Sequence, residues 1–197
     1  MANFKGKKAV EGSMGTVSPF YNIEIRNRNG EKAAVGEIGE VVIIPPESGK
    51  QVGIFCAYLD NEKQYAHVWR GGVYHTGDAA YMDEDGRCWF HGRFDDIIKT
   101  SGFRVGPYEV ENVLMEHPAV VECSVIGVPD RLRGQAIKAV VTLGSGYSPS
   151  KKLELEIKEF CNRKLAECKW VRIVEFVNEM PKTISGKIQK TVLRSQA

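Results

Sequence analysis

No stretch of this 197-residue chain approaches the roughly 18 apolar residues of a membrane-spanning helix. Neither sign of charge prevails. Lys and Arg number 27 against 25 Asp and Glu, a net charge of +2. Surfaces for nucleic acid or anionic lipid carry a larger basic excess, so composition supports neither partner. The N-terminal MANFKGKKAVEGSMG has lysines but no apolar run after them, so it does not read as a signal peptide. Internal repeats and low-complexity segments are absent. The five cysteines, at 56, 88, 123, 161 and 168, form no Cys-x-x-Cys. They sit mostly beside apolar residues and read as buried, reduced thiols, which places the chain in a reducing compartment, the cytosol. His67, His75, His91 and Cys88 match no usual zinc-ligand spacing, so no metal site is expected.

A complete phosphate loop is also lacking, although the stretch PKTISGKIQK (181–190) comes near one. The motif Gly-x-x-x-x-Gly-Lys-Ser/Thr needs a glycine where Pro181 stands and a hydroxyl where Ile188 stands. A glycine-hinged lysine remains, close to the last residue.

A hydrophobic fraction of 43% is enough for a core, and the length fits one large domain or two small ones. The first half reads as strands punctuated by glycine. Residues 19–26 alternate partly and meet a turn at Arg28-Asn29-Gly30. Residues 39–44 are an apolar run stopped by Pro45-Pro46, and Val73 to Tyr81 is a further strand. Asp83-Glu84-Asp85-Gly86 is a hairpin turn, with Cys88-Trp89-Phe90 returning. This half reads as a twisted sheet or open barrel.

The second half changes character. Pro107 opens a helix, with Glu109 and Glu111 near its positive end, and His117-Pro118 stops it. Residues 119–128 and 136–143 are buried-type strands. Ser148 caps a long helix with Pro149 at its first position, apolar at Leu153, Ile157, Phe160, Cys161 and Leu165. Lys152 with Glu156, and Glu159 with Arg163, are spaced to pair on its wet face. Residues 171–177 make a third strand. The fold class is α+β: a β-rich subdomain over 1–94, then a compact α+β domain over 95–197 with a three-stranded sheet and helices.

Three stretches could carry chemistry. In Tyr74-His75-Thr76-Gly77-Asp78 a strand ends, glycine bends the chain and a carboxylate stands at the tip. Such a carboxylate can accept hydrogen bonds from a vicinal diol, or cap its own turn. In GRFDDIIKTSGFRVG (92–106), Arg93, Lys99 and Arg104 surround three glycines on a hairpin, and Gly102 would admit close backbone approach. In PKTISGKIQK, Lys182, Lys187 and Lys190 are mobile point charges suited to a transient negative charge, or a solvated basic tail.

Together, and in this order, these stretches resemble the adenylate-forming acyl-CoA synthetases, a superfamily with the luciferases and the adenylation domains of peptide synthetases. The resemblance runs from Gly12 to Arg194 and is closest to the acetyl- to medium-chain type. It implies an AMP-forming acid–thiol ligase: carboxylate and ATP give an acyl-adenylate, which coenzyme A converts to a thioester. It implies that Asp78 holds the ribose hydroxyls of ATP, that Arg93 and Arg104 contact the nucleotide, and that Asp95 is the hinge of a mobile C-terminal domain. Gly102 then lines the pantetheine path, and Lys187 is the catalytic lysine of adenylation. ATP, its accompanying Mg2+ and coenzyme A are the implied ligands. The family's upstream phosphate loop, adenine segment and acyl pocket are not in the sequence. The chain is thus expected to be a C-terminal fragment, partnered by a missing N-terminal domain and inactive alone. An adenylation domain loading a carrier protein, or a non-catalytic module keeping the fold, are alternatives.

Overall fold

The computed structural model describes residues 1–6, 8–47 and 53–197. The chain divides into two compact units, Met1–Asp95 and Asp96–Ala197.

The first unit holds one antiparallel sheet of five strands: β1 (Gly15–Thr16), β2 (Asn22–Arg26), β3 (Gly39–Ile44), β4 (Tyr74–Met82) and β5 (Arg87–Arg93), in the order β1-β5-β4-β3-β2. Ile25, Val41 and Ala80 form its small core, with Met14, Ile23 and Met82 against them. The sheet expected from residues 1–94 is present, but a helix intervenes in the half expected to hold strands alone. Asn61 caps α1 (Glu62–Val68), its side-chain oxygen accepting from Gln64 N at 3.0 Å. That Asn-x-x-Gln start is a legible helix signal.

The second unit begins with the hairpin β6 (Ile98–Thr100) and β7 (Phe103–Val105), followed by α2 (Pro107–Met115), β8 (Val120–Asp130), β9 (Gly134–Leu143), α3 (Lys151–Lys164), β10 (Ile173–Phe176) and α4 (Lys190–Ser195). The three strands read from the sequence are β8, β9 and β10, with β9 antiparallel to β8 and parallel to β10. The sheet has five strands because β6 also joins β9, at Thr100 opposite Gly134, and carries β7 with it. Adjacent residues of β8 and β9 feed opposite faces. Val125, Ile137, Ala139 and Val141 enter the main core with α2 and α3. Ile126, Val128, Ala136 and Val140 enter a second cluster with Met180 and Leu193. Burial on both faces explains why these strands read as unbroken apolar runs.

The long helix starts later than the sequence suggests. Ser150, not Ser148, is the cap: it is extended and accepts from Leu153 N at 3.2 Å. Pro149 therefore stands outside the helix, before the cap. The pairs that form on α3 are Lys151 with Glu154 and Lys158 with Glu154, at 2.8 and 3.6 Å. Glu156 instead stands 3.8 Å from the buried His117, and Arg163 donates to the Glu159 carbonyl.

Candidate functional site

In the first unit the site is built by two irregularities of the sheet. Between the pairs Glu40–Ala79 and Val42–His75, β3 has one residue and β4 has three, so Thr76, Gly77 and Asp78 stand out as a bulge. The strand does not end at this motif; it runs on to Met82. A second shift, between Ala79 and Ala80, gives β5 an extra residue and sets Arg93 directly opposite Asp78. Arg93 Nη1 donates to Asp78 Oδ1 at 3.0 Å and to the Thr76 carbonyl at 2.9 Å. Its Nε lies 3.4 Å from Asp95 Oδ1. One guanidinium therefore bridges Asp78 and Asp95. Gly77 makes this possible: its φ is +74°, and a Cβ there would lie 2.1 Å from Arg93 Nη2.

Beneath the bulge lies a residue that sequence reasoning missed. Glu40 is buried, at 6% exposure. Its Oε2 accepts from Arg70 Nη2 at 3.0 Å and from His75 Nδ1 at 2.8 Å, and its Oε1 accepts from Gly77 N at 3.1 Å. A carboxylate only accepts, so the geometry assigns the proton to Nδ1 of His75. Buried carboxylates are costly unless satisfied in this way. The available signal was a glutamate inside an apolar run, Gly39-Glu40-Val41-Val42. Thr76 completes the scaffold, donating to the Val41 carbonyl at 2.7 Å and accepting from Asp78 N at 3.1 Å. A cleft of about 480 Å³ adjoins the bulge, lined among others by Glu40, Tyr74, Thr76, Arg93 and Asp95. Partial burial pushes the Tyr74 phenol above its ordinary range.

The second unit carries the remaining candidates. Ser101 and Gly102 both have positive φ, +48° and +83°, so β6 and β7 are joined by a two-residue turn of the hairpin type. The space over Gly102 is open. The turn is tied to the β8–β9 connection by Ser101 N donating to the Arg133 carbonyl at 2.9 Å. Arg104 lies across from Lys99, both exposed.

Lys187 sits on a tight loop. Gly186 N donates to the Thr183 carbonyl at 2.9 Å, and Thr183 N to the Lys187 carbonyl at 2.8 Å. Thr183 Oγ1 accepts from Lys187 N at 3.1 Å, and Gly186 takes φ +82°. The flanks are anchored. Lys182 and Ile188 pair in an isolated antiparallel bridge, and Gln189 N donates to the Pro181 carbonyl at 2.8 Å. Met180 and Leu193 are buried on either side, with Ile188 packed against their cluster. The three lysines of this stretch are not equivalent. Lys182 Nζ meets Glu122 Oε1 and Lys190 Nζ meets Glu111 Oε1, each at 2.8 Å. Lys187 is exposed and has no carboxylate within ion-pair distance among the described residues. The basic-tail reading therefore fails for Lys182 and Lys190, which are pinned.

Of the cysteines, Cys88, Cys123 and Cys161 are buried, whereas Cys56 is exposed and Cys168 half-buried, contrary to a uniformly buried set. Burial pushes the Cys123 and Cys161 thiols up to about 12 and about 11.

Residues 109–187 match the AMP-binding enzyme C-terminal domain. In those residues the chain carries the C-terminal domain of AMP-binding enzymes. Its similarity to this family extends beyond the matched domain. It is 43% identical over 195 residues to the mitochondrial acyl-coenzyme A synthetase ACSM3 of Rattus norvegicus, covering 98% of this chain and 33% of that protein. It is 46% identical over 197 residues to 4-hydroxybutyrate--CoA ligase 1 of Metallosphaera sedula, covering 100% of this chain and 34% of that one. Among solved structures, the anthranilate CoA ligase AuaEII in complex with anthranoyl-AMP superposes with a TM-score of 0.81 at 38% identity, over 96% of this chain and 36% of that one. The chain thus spans about a third of the length of the AMP-binding enzymes it matches. No helix among the described residues is long and apolar enough to cross a membrane.

Proposed function

We propose that this chain is the C-terminal part of an AMP-forming acyl-CoA synthetase, and that Lys187 is its adenylation lysine. The observation that carries the reading is the loop of residues 183–187, on which Lys187, alone of three neighbouring lysines, has no carboxylate partner among the described residues.

In the first half-reaction, a carboxylate oxygen attacks the α-phosphorus of ATP and the bond to pyrophosphate breaks. Negative charge grows on the phosphoryl oxygens and the leaving group, and a cation placed there lowers the barrier. An unpaired ammonium on a four-carbon stem can move to that charge without breaking an existing ion pair. Asp78 supplies acceptors for the ribose hydroxyls; Oδ1 is held by Arg93, and each carboxylate oxygen can accept more than one hydrogen bond. Arg93 and Arg104 contact the nucleotide. In the second half-reaction the coenzyme A thiol attacks the acyl-adenylate carbonyl and AMP leaves. The open face over Gly102 suits a ligand passing close to the backbone. The two steps ask for different groups at one place, and rotation of residues 96–197 about Asp95 exchanges them.

No cluster of three or more His, Cys, Asp or Glu among the described residues could hold a metal ion. Magnesium is accordingly assigned to the nucleotide it arrives with, and no step is routed through these residues. The reduced thiols fit a reducing compartment, and we retain the cytosol as the proposal.

The test separates the half-reactions in the longer synthetase. Lys187→Ala should lower ATP–pyrophosphate exchange by about 100-fold or more. Thioester formation from supplied acyl-adenylate should be retained. Equal loss in both steps would refute the role of Lys187. The 197-residue chain alone should show no exchange.

A further inference from the structure

The lysine loop is held at both ends by carboxylates of other elements. Glu111 comes from α2 and Glu122 from β8, and they take Lys190 and Lys182, which flank Lys187 in sequence. The two contacts differ in quality. In the Glu111–Lys190 pair both side chains are only 19% exposed, while Lys182 and Glu122 are 40% and 30% exposed. Glu111 is further fixed because the same oxygen accepts from Val125 N at 2.8 Å. That amide lies on β8, whose ladder partner is β9, so α2 reaches over to satisfy a donor on its free side. Lys190 opens α4, three residues after Lys187. A shift of Lys190 is therefore a shift of the loop.

We propose that Glu111 is a positioning residue for Lys187: it fixes the start of α4, and thereby the loop, while leaving the Lys187 ammonium uncommitted. Glu122 does the same from the other flank, more weakly because its pair is wetter. The competing view is that the second core alone holds the loop, through Met180, Ile188 and Leu193. The proposal rests on the assignment of Lys187 to adenylation, but its physical half can be measured without it.

Glu111→Gln keeps an acceptor for Val125 N and removes the charge that holds Lys190. Lys190→Met removes the other partner and leaves the Val125 bond untouched, so it guards against a folding defect in the first variant. In the 197-residue chain, amide hydrogen exchange at Gly186, Lys187 and Gln189 should quicken about tenfold in either variant. The double variant should add little more, as expected for one shared contact. Glu122→Gln should have the smaller effect. Unchanged exchange in both Glu111→Gln and Lys190→Met would overturn the proposal.

In the longer synthetase, Glu111→Gln should lower adenylation about tenfold and spare thioester formation, a split that general loss of stability would not produce. Faster exchange with both half-reactions unchanged, alongside a selective Lys187→Ala defect, would also overturn it. A Lys187→Ala variant without selectivity would refute the lysine assignment instead, and the exchange data would still decide whether the clamp exists.

Discussion

Residues 83–87 and 183–187 form the same loop, a form that residues 27–31 also take around Gly30. In both, the glycine amide donates to the first carbonyl, at 3.0 and 2.9 Å, and the first amide donates to the fifth carbonyl, at 2.9 and 2.8 Å. In both, a side-chain oxygen of the first residue accepts from the fifth amide, at 2.8 and 3.1 Å. The glycines, Gly86 and Gly186, take φ +74° and +82°. The fifth residue is a cation in each. The first and third residues differ: Asp83 and Asp85 in one loop, Thr183 and Ser185 in the other. Arg87 is consequently paired with Asp85 and lies 3.7 Å from Asp83. Lys187 follows two hydroxyls instead, which bond to each other at 3.0 Å. A hydroxyl caps the turn as a carboxylate does, but it leaves the cation uncompensated. The first loop closes a hairpin; the second presents a charge.

Exchanging the chemistry should exchange the roles. Thr183→Asp with Ser185→Asp gives Lys187 the neighbours of Arg87 on a backbone of the same form. Adenylation by the longer synthetase should fall by about tenfold or more, with the chain's melting temperature little changed. Undiminished adenylation would break the comparison. Next in size, Gly86→Ala and Gly186→Ala should cost similar amounts, about 1–2 kcal/mol each. A Cβ meets nothing within 4 Å at either site, so the cost is that of the positive φ alone. Urea unfolding of the two variants checks this, and clearly unequal costs would show that the loops are not equivalent.

The smallest effect is a titration. The Asp83 carboxyl is held below its usual range, first by the hydrogen bond from Trp89 Nε1 at 2.9 Å and also by backbone amides. Its stabilisation is thus full above the unfolded value of about 3.9 and is lost as pH falls through the lower folded value. Carbon-detected NMR should place its midpoint below about 3.9 in the folded chain, rising in Trp89→Phe. Thr183 has no such titration.

The strands, the turns at Gly30 and Gly86, and the start of α2 at Pro107 were legible because glycine, proline and apolar runs act locally. The sites of charge neutralisation were not. That Lys182 and Lys190 are pinned depends on Glu122 and Glu111, 60 and 79 residues away in the sequence. Glu40 was missed for the same reason: its partners Arg70, His75 and Gly77 come from beyond the end of α1 and from β4. The misplaced helix cap has a local cause. Ser148 and Ser150 are equally good caps by type, and only the backbone decides which accepts from the first turn. The positive φ of Ser101 was likewise hidden, since a two-residue hairpin turn needs it while serine does not advertise it.

The most direct test of an uncommitted Lys187 is competitive labelling of the chain's amines with a trace of acetic anhydride, resolved by residue in a mass spectrometer. Lys187 should acylate about tenfold faster than Lys190, whose amine must first leave Glu111, and faster than Lys182. Thr183→Asp should slow Lys187 toward them. Labelling of Lys187 at or below the rate of Lys190 would contradict the account.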